Sequence, residues 1–265
     1  MNNQPRYLTE DIPGTGGVIK QRPADFIVEE LPLYEPCGEG EHVYLFIEKR
    51  EMDTPELVDL VTQHFGVPRS RVGAAGRKDR HAVSRQLISV HLPGRSEDDF
   101  GALPDERASV LWVDRHTNKL RMGHLAGNRF NLRIRGVEMS GAVRAQTVLR
   151  RLAEVGVPNA FGPQRFGADG RNAETGLALI RGTLRRRMPS EKRRFYLNAA
   201  QSLIFNRVLD ERIRSGTLGS LAPGDLAWIH DGGAVFGVDE AEAQSAETQQ
   251  RVRDVAISPS GPLWG

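Results

Sequence analysis

Cysteine is nearly missing. Cys37 stands alone, so no intrachain disulfide can form and no cysteine cluster is on hand for a structural zinc site. Long apolar runs are missing too: nothing approaches the ~20 consecutive apolar residues of a membrane-spanning helix. Residues 1–10 are polar and carry no apolar core of a secretory leader. Internal repeats and low-complexity tracts are absent. So is a P-loop, because Lys78 is followed by Asp79 where a phosphate loop needs Ser or Thr. The expectation is a cytoplasmic, monomeric protein with no metal, no small-molecule cofactor and no membrane partner.

What is abundant is arginine, with 31 Arg against 5 Lys. Its planar fork suits bidentate phosphate contacts and stacking on bases. The net charge of +2 hides a segregation. Residues 115–214 hold 21 Lys and Arg against 7 Asp and Glu, a net of +14, which leaves −12 on the rest. A basic half of this size is the footprint of a polyanion partner; the plainer alternative is a solvated surface.

At 265 residues the chain suits two domains. The first half reads as short strands: residues 18–20, 26–28, 42–49 with Val43, Leu45 and Ile47 on one face, 86–91, 110–114, and an alternating run through Phe130, Leu132 and Ile134. Among them Thr54 reads as an N-cap and Pro55 as the first residue of a helix with an inner stripe of Leu57, Leu60, Val61 and His64, ended by Gly66. Two helices follow, over 141–156 and, capped by Ser190, over 190–215. The second carries a stripe of Leu197, Gln201, Ile204, Val208 and Leu209. A Gly and a Pro break the pattern at 155–159 and place the domain boundary there. The class is α+β.

The most informative stretch is Gly73-Ala74-Ala75-Gly76-Arg77-Lys78-Asp79-Arg80-His81-Ala82. Small residues permit close backbone approach to a ligand. Asp79 is a single carboxylate among cations, which favour its anionic form. An anion placed where phosphates must also bind has a use as a nucleophile; a helix-capping turn is the bland alternative. Gly73-Ala74-Ala75-Gly76 also fits the backbone-clamping GXXG loop of KH domains, although a strand-like run follows where that fold needs a helix.

Five blocks in this order resemble the TruD family, whose bacterial members isomerise a uridine in tRNA. The first is Ile19-Lys20 with Pro23 and Asp25-Phe26-Ile27-Val28-Glu29-Glu30. The second is Gly38-Glu39-Gly40-Glu41-His42. The third is Gly76-Arg77-Lys78-Asp79-Arg80-His81-Ala82 with Gln86. The fourth is Leu125-Ala126-Gly127-Asn128-Arg129-Phe130, and the fifth Gly156-Val157-Pro158-Asn159-Ala160-Phe161-Gly162-Pro163-Gln164-Arg165-Phe166-Gly167. The resemblance implies a pseudouridine-synthase-like domain over 1–155, with a mixed, largely antiparallel sheet, and a more helical inserted TRUD domain over 156–265. It implies tRNA as partner, uridine 13 as target and Asp79 as catalytic nucleophile. It places Phe26, Asn128, Lys20, Lys78, Gln86, Phe130 and Arg165 among the substrate-binding candidates. On the residues alone, Phe26 and Phe130 fit a core equally, Asn128 fits a turn after Gly127, and Gln164 and Arg165 fit a loop brace. The reaction involves no redox change and so calls for no cofactor. Whether the carboxylate adds to C6 of the base or acts at the sugar stays open, as does the general base. Family members continue past the position matched by Gly265. On that reading the inserted domain is incomplete and the return to the first domain is lacking, so the chain alone is expected to be inactive and poorly soluble. The rival is a non-catalytic RNA-binding protein or an inactive fragment of such an enzyme.

Overall fold

Apolar alternation builds the first sheet. In the computed structural model, which describes residues 5–95, 100, 102–185 and 187–261, strands β1 (Phe26–Pro32), β2 (His42–Arg50), β3 (Val72–Ala74), β4 (Val83–His91), β5 (Ala108–His116) and β6 (Leu125–Leu132) form one sheet in the order β5-β2-β4-β1-β6, with β3 also on β4. Only the β1–β4 pair is parallel; the others run antiparallel. Val43, Leu45 and Ile47 are fully buried against helix α1 (Thr54–Phe65), which presents Leu57, Val58, Val61 and Phe65. Leu60 and His64, expected on that stripe, are only partly buried. Gly66 ends the helix at φ 63°, a left-handed conformation that suits glycine.

Three local expectations are corrected. The cap of α1 is Asp53, which accepts the Glu56 N–H at 3.0 Å, and Thr54 is the first helical residue. Residues 18–20 form no strand: Val18 makes an isolated bridge to Arg135, and Lys20 turns away at φ 58°. The last strand stops at Leu132, short of Ile134.

The second half contains α2 (Met139–Val155), α3 (Pro163–Phe166), α4 (Asn172–Ile180), α5 (Ser190–Arg214), and then β7 (Leu226–Ile229), β8 (Val235–Gly237), α6 (Glu240–Gln244), α7 (Ala246–Arg253) and β9 (Ile257–Ser260). The three strands form an antiparallel sheet, β8-β7-β9. Helix α5 starts after Pro189 with no side-chain cap, so Ser190 is its first residue. Its buried face is Ala199, Ala200, Ser202, Leu203, Asn206 and Leu209, whereas Ile204 and Val208, expected inside, are exposed. Small residues decided this. A side chain at Gly176 of α4 would strike the Tyr196 carbonyl of α5, so the helices meet where α5 offers alanines.

The chain divides into two compact units, Thr15–Ala142 and Met1–Gly14 joined with Val143–Gly265. The break at 155–159 falls inside the second of these units, with which the residues before Thr15 group. Ion pairs explain that grouping: Arg6 reaches Asp210 at 3.2 Å, and Asp11 pairs with Arg151.

Candidate active site

Strand β1 lies between β4 and β6, and its register sets the site. Val28 stands opposite Phe130 and Glu30 opposite Asn128, so alternate residues of both strands share one face. Phe26 and Phe130, diagonal neighbours, stack with ring centroids 6.1 Å apart. Asp25 fixes the start of β1. Its buried carboxylate takes two 2.7 Å bonds from the Arg135 guanidinium and its carbonyl accepts the Arg133 N–H. Those Arg135 bonds hold the Asp25 carboxyl below its ordinary pKa.

The loop from β3 to β4 carries Asp79 outward, with its side chain 57% exposed. Lys20 Nζ stands 3.4 Å from Asp79 Oδ2 and 3.8 Å from the centre of the Phe26 ring. One ammonium thus links the carboxylate to the aromatic pair. Beneath it runs a buried polar network. Lys78 Nζ lies 2.7 Å from Glu30 Oε2 and donates to Asn128 Oδ1 at 2.7 Å. The Lys78 N–H donates to Thr54 Oγ1 at 2.8 Å, and Thr54 donates to Gln86 Oε1 at 2.9 Å. The hydroxyl expected to cap a helix instead ties the Asp79 loop to β4. Gly73 lets this loop region close up, since a side chain there would meet the Leu120 carbonyl. The strand that follows at Val83 leaves no helix for a KH reading of Gly73 to Gly76.

The sequence-predicted residues sort by depth. Asp79, Lys20 and Phe130 are exposed, Asn128 is partly buried, and Phe26, Lys78 and Gln86 are buried. All seven lie in the Thr15–Ala142 unit. Arg165 belongs to the other unit, with its guanidinium 5.1 Å from the centre of the Phe161 ring. Of the cations flanking Asp79, Arg80 is drawn to Asp53 and Glu56, while Arg77 is exposed without an ion pair among the described residues.

Three residues of the site are not among the sequence-predicted site residues: Glu30, Thr54 and Lys49. Lys49 continues the buried face of Val43, Leu45 and Ile47, and a lysine on an apolar stripe was the available signal. Its ammonium donates to the carbonyls of Met52 and, at 3.2 Å, of Asp79. Burial pushes its pKa down to about 8, against the partial opposition of Asp53 and Asp79. Among the described residues no group of three or more potential metal ligands occurs, and no helix is long and apolar enough to cross a membrane.

An exposed carboxylate braced by lysine over stacked aromatics invites comparison with known proteins. The family described as "tRNA pseudouridine synthase D (TruD)" matches residues 3–187 and 181–265. The chain belongs to the TruD family. Relatives named tRNA pseudouridine synthase D include one from Thermus thermophilus, 43% identical over 98% of this chain and 70% of its own length. Another, from Geobacter sulfurreducens, is 36% identical over 98% of this chain and 77% of its own length. A solved structure from Methanosarcina mazei that carries the TruD name superposes with a TM-score of 0.79 at 23% identity, covering 99% of this chain and 76% of that one. The fold is therefore the expected α+β one, with its mixed, largely antiparallel sheet.

Proposed function

We propose that the chain isomerises a uridine of tRNA to pseudouridine, with Asp79 as nucleophile and uridine 13 as the position modified. The supporting observation is that Lys20 joins the exposed Asp79 carboxylate to the stacked Phe26–Phe130 pair while the neighbouring Lys78 holds Asn128, which brings together residues 20–26, 78–79 and 128–130. On this reading residues 1–155 form the catalytic domain, and residues 156–265, including Arg165, belong to the inserted tRNA-gripping domain. The protein acts as a cytoplasmic monomer without cofactor.

The reaction breaks the bond from C1′ to N1, turns the uracil, and joins C1′ to C5; C5 loses its proton and N1 takes one up, so the product is an isomer of the substrate. Asp79 serves either by adding to C6 of the base or by engaging C1′ as uracil departs. The uridine must first leave its stack, at a cost of a few kcal/mol. Stacking on an aromatic offsets part of that, at about 1–3 kcal/mol per base. Lys20 holds the carboxylate, and the buried Lys78–Glu30–Asn128 network fixes the loop that carries it.

The test is Asp79→Asn, which keeps the shape and removes the anionic nucleophile. Pseudouridine formation should vanish while tRNA binding persists. Turnover by the Asn variant would overturn the assignment. Binding without turnover in the wild-type chain would favour the non-catalytic RNA-binding reading.

A further inference from the structure

We infer that Lys49 is a positioning residue for Asp79, its buried ammonium anchoring the main chain of the nucleophile from beneath while Lys20 holds the carboxylate from above. The inference rests on the reading of Asp79 as nucleophile.

Lys49 is fully buried, and no carboxylate pairs with it among the described residues. A buried cation without a counter-ion is costly, and an apolar residue would fit the face made by Val43, Leu45 and Ile47. Its contacts show what the charge does. Nζ donates to Met52 O, in the turn from β2 to α1, and to Asp79 O at 3.2 Å, so one ammonium ties that turn to the Asp79 loop. Hydrogen bonds from a charged donor are about twice as strong as neutral ones. Reaction geometry is sensitive to displacements of about 1 Å, for which losses near 100-fold are typical.

The charge is also conditional. Burial lowers the Lys49 pKa to about 8, Asp53 and Asp79 oppose the shift, and Lys78 and Arg80 reinforce it. Its register partners on the flanking strands, Ser84 and Ala108, carry no charge. At the start of α1, Glu56 is already engaged by Arg80 and Arg107. As pH rises through about 8 the ammonium becomes an amine and the anchor weakens.

The experiment compares wild type with Lys49→Met and Lys49→Gln in turnover, melting and hydrogen exchange of the free protein. Lys49→Met should lower kcat about 10- to 100-fold, leave KM for tRNA nearly unchanged, and melt no lower than wild type. Lys49→Gln keeps a donor and should retain more activity. The wild-type kcat should fall as pH rises through about 8, and both variants should lack that limb. The amides of residues 78–82 should lose protection in Lys49→Met at all pH values, and in wild type only above about pH 8. Unchanged kcat, pH profile and protection in Lys49→Met would overturn the inference. So would unfolding of both variants, which would make Lys49 a requirement of the core. If wild type forms no pseudouridine, the functional reading falls, and exchange alone decides whether Lys49 anchors the loop.

Discussion

Lys78 and Asp79 are adjacent in the chain and point to opposite sides of their loop. The Lys78 ammonium is buried 2.7 Å from Glu30, whereas the Asp79 carboxylate faces solvent beside Lys20. Each orientation requires the other, because the buried pair pulls the loop down at the residue before the carboxylate. Lys78→Met would leave Glu30 buried without a counter-ion and should cost about 3–5 kcal/mol of stability. Adding Glu30→Leu should restore much of the melting temperature and none of the activity, since the loop would no longer be held to β1. Thermal melts and turnover on both variants check this.

The Asp25–Arg135 pair gives a pH dependence. The Arg135 hydrogen bonds hold the Asp25 pKa below its ordinary 3.8 in the folded protein. A depressed carboxyl pKa stabilises the fold above the unfolded value, and that stability is lost as pH falls from there through the folded value. The window is therefore below about pH 3.8. Asp25→Asn should melt lower at neutral pH and show a shallower loss of stability on acidification. Parallel melting curves for the two proteins through that window would contradict this role for Asp25.

Much of the candidate site is legible in the sequence because it is local. Gly76, Lys78 and Asp79 fall within four residues, and Phe130 follows two residues after Asn128 on one strand face. Strand alternation also revealed the buried face of β2. What was not legible depends on partners far apart in sequence. Thr54 has the chemistry of a helix cap, and only the Asp79 loop, 24 residues on, makes it a loop brace. Hydrophobicity alone points to Ile204 and Val208 on α5, whereas close approach to Gly176 favours the alanine face. The strands β7, β8 and β9 are only three or four residues long and carry little periodic signal.

Arginines around the candidate site and those on the stretch 181–194 differ in their partners. Arg80, Arg85, Arg107 and Arg135 are each paired with carboxylates. Arg181, Arg185, Arg187, Lys192, Arg193 and Arg194 are exposed and form no ion pair among the described residues; Arg186 lies outside them. Unpaired cations on one stretch are available to phosphates. The tRNA affinity should fall steeply with salt, and each phosphate contact removed should flatten the log–log slope by ~0.7–0.9. Replacing Arg185, Arg186 and Arg187 together by alanine should reduce the slope by about two to three units if all three reach phosphates. An unaltered slope in filter-binding titrations would show that this triplet is only a solvated loop.

The two stacked aromatics differ in burial, and so in what replacing each should do. Phe26 is 8% exposed and packs with Val28 and Ala82, while its outer face is taken by Lys20 and Phe130. Phe130 is 57% exposed. The open aromatic surface next to Phe26 therefore belongs to Phe130, with Phe26 as its backing. Phe26→Ala removes a buried ring and should cost about 3–5 kcal/mol of stability, with turnover falling through disorder of the Lys20 contact. Phe130→Ala should change the melting temperature little. Its effect should appear in kcat/KM, as the loss of a stacked base at about 1–3 kcal/mol, roughly 5- to 150-fold. Phe130→Leu keeps apolar area without a π face and should melt like wild type but regain only part of the activity. Melting and single-turnover rates on the same three preparations separate the roles. A Phe130→Ala protein that melts far below wild type, or turns over like it, would return Phe130 to the status of a structural residue.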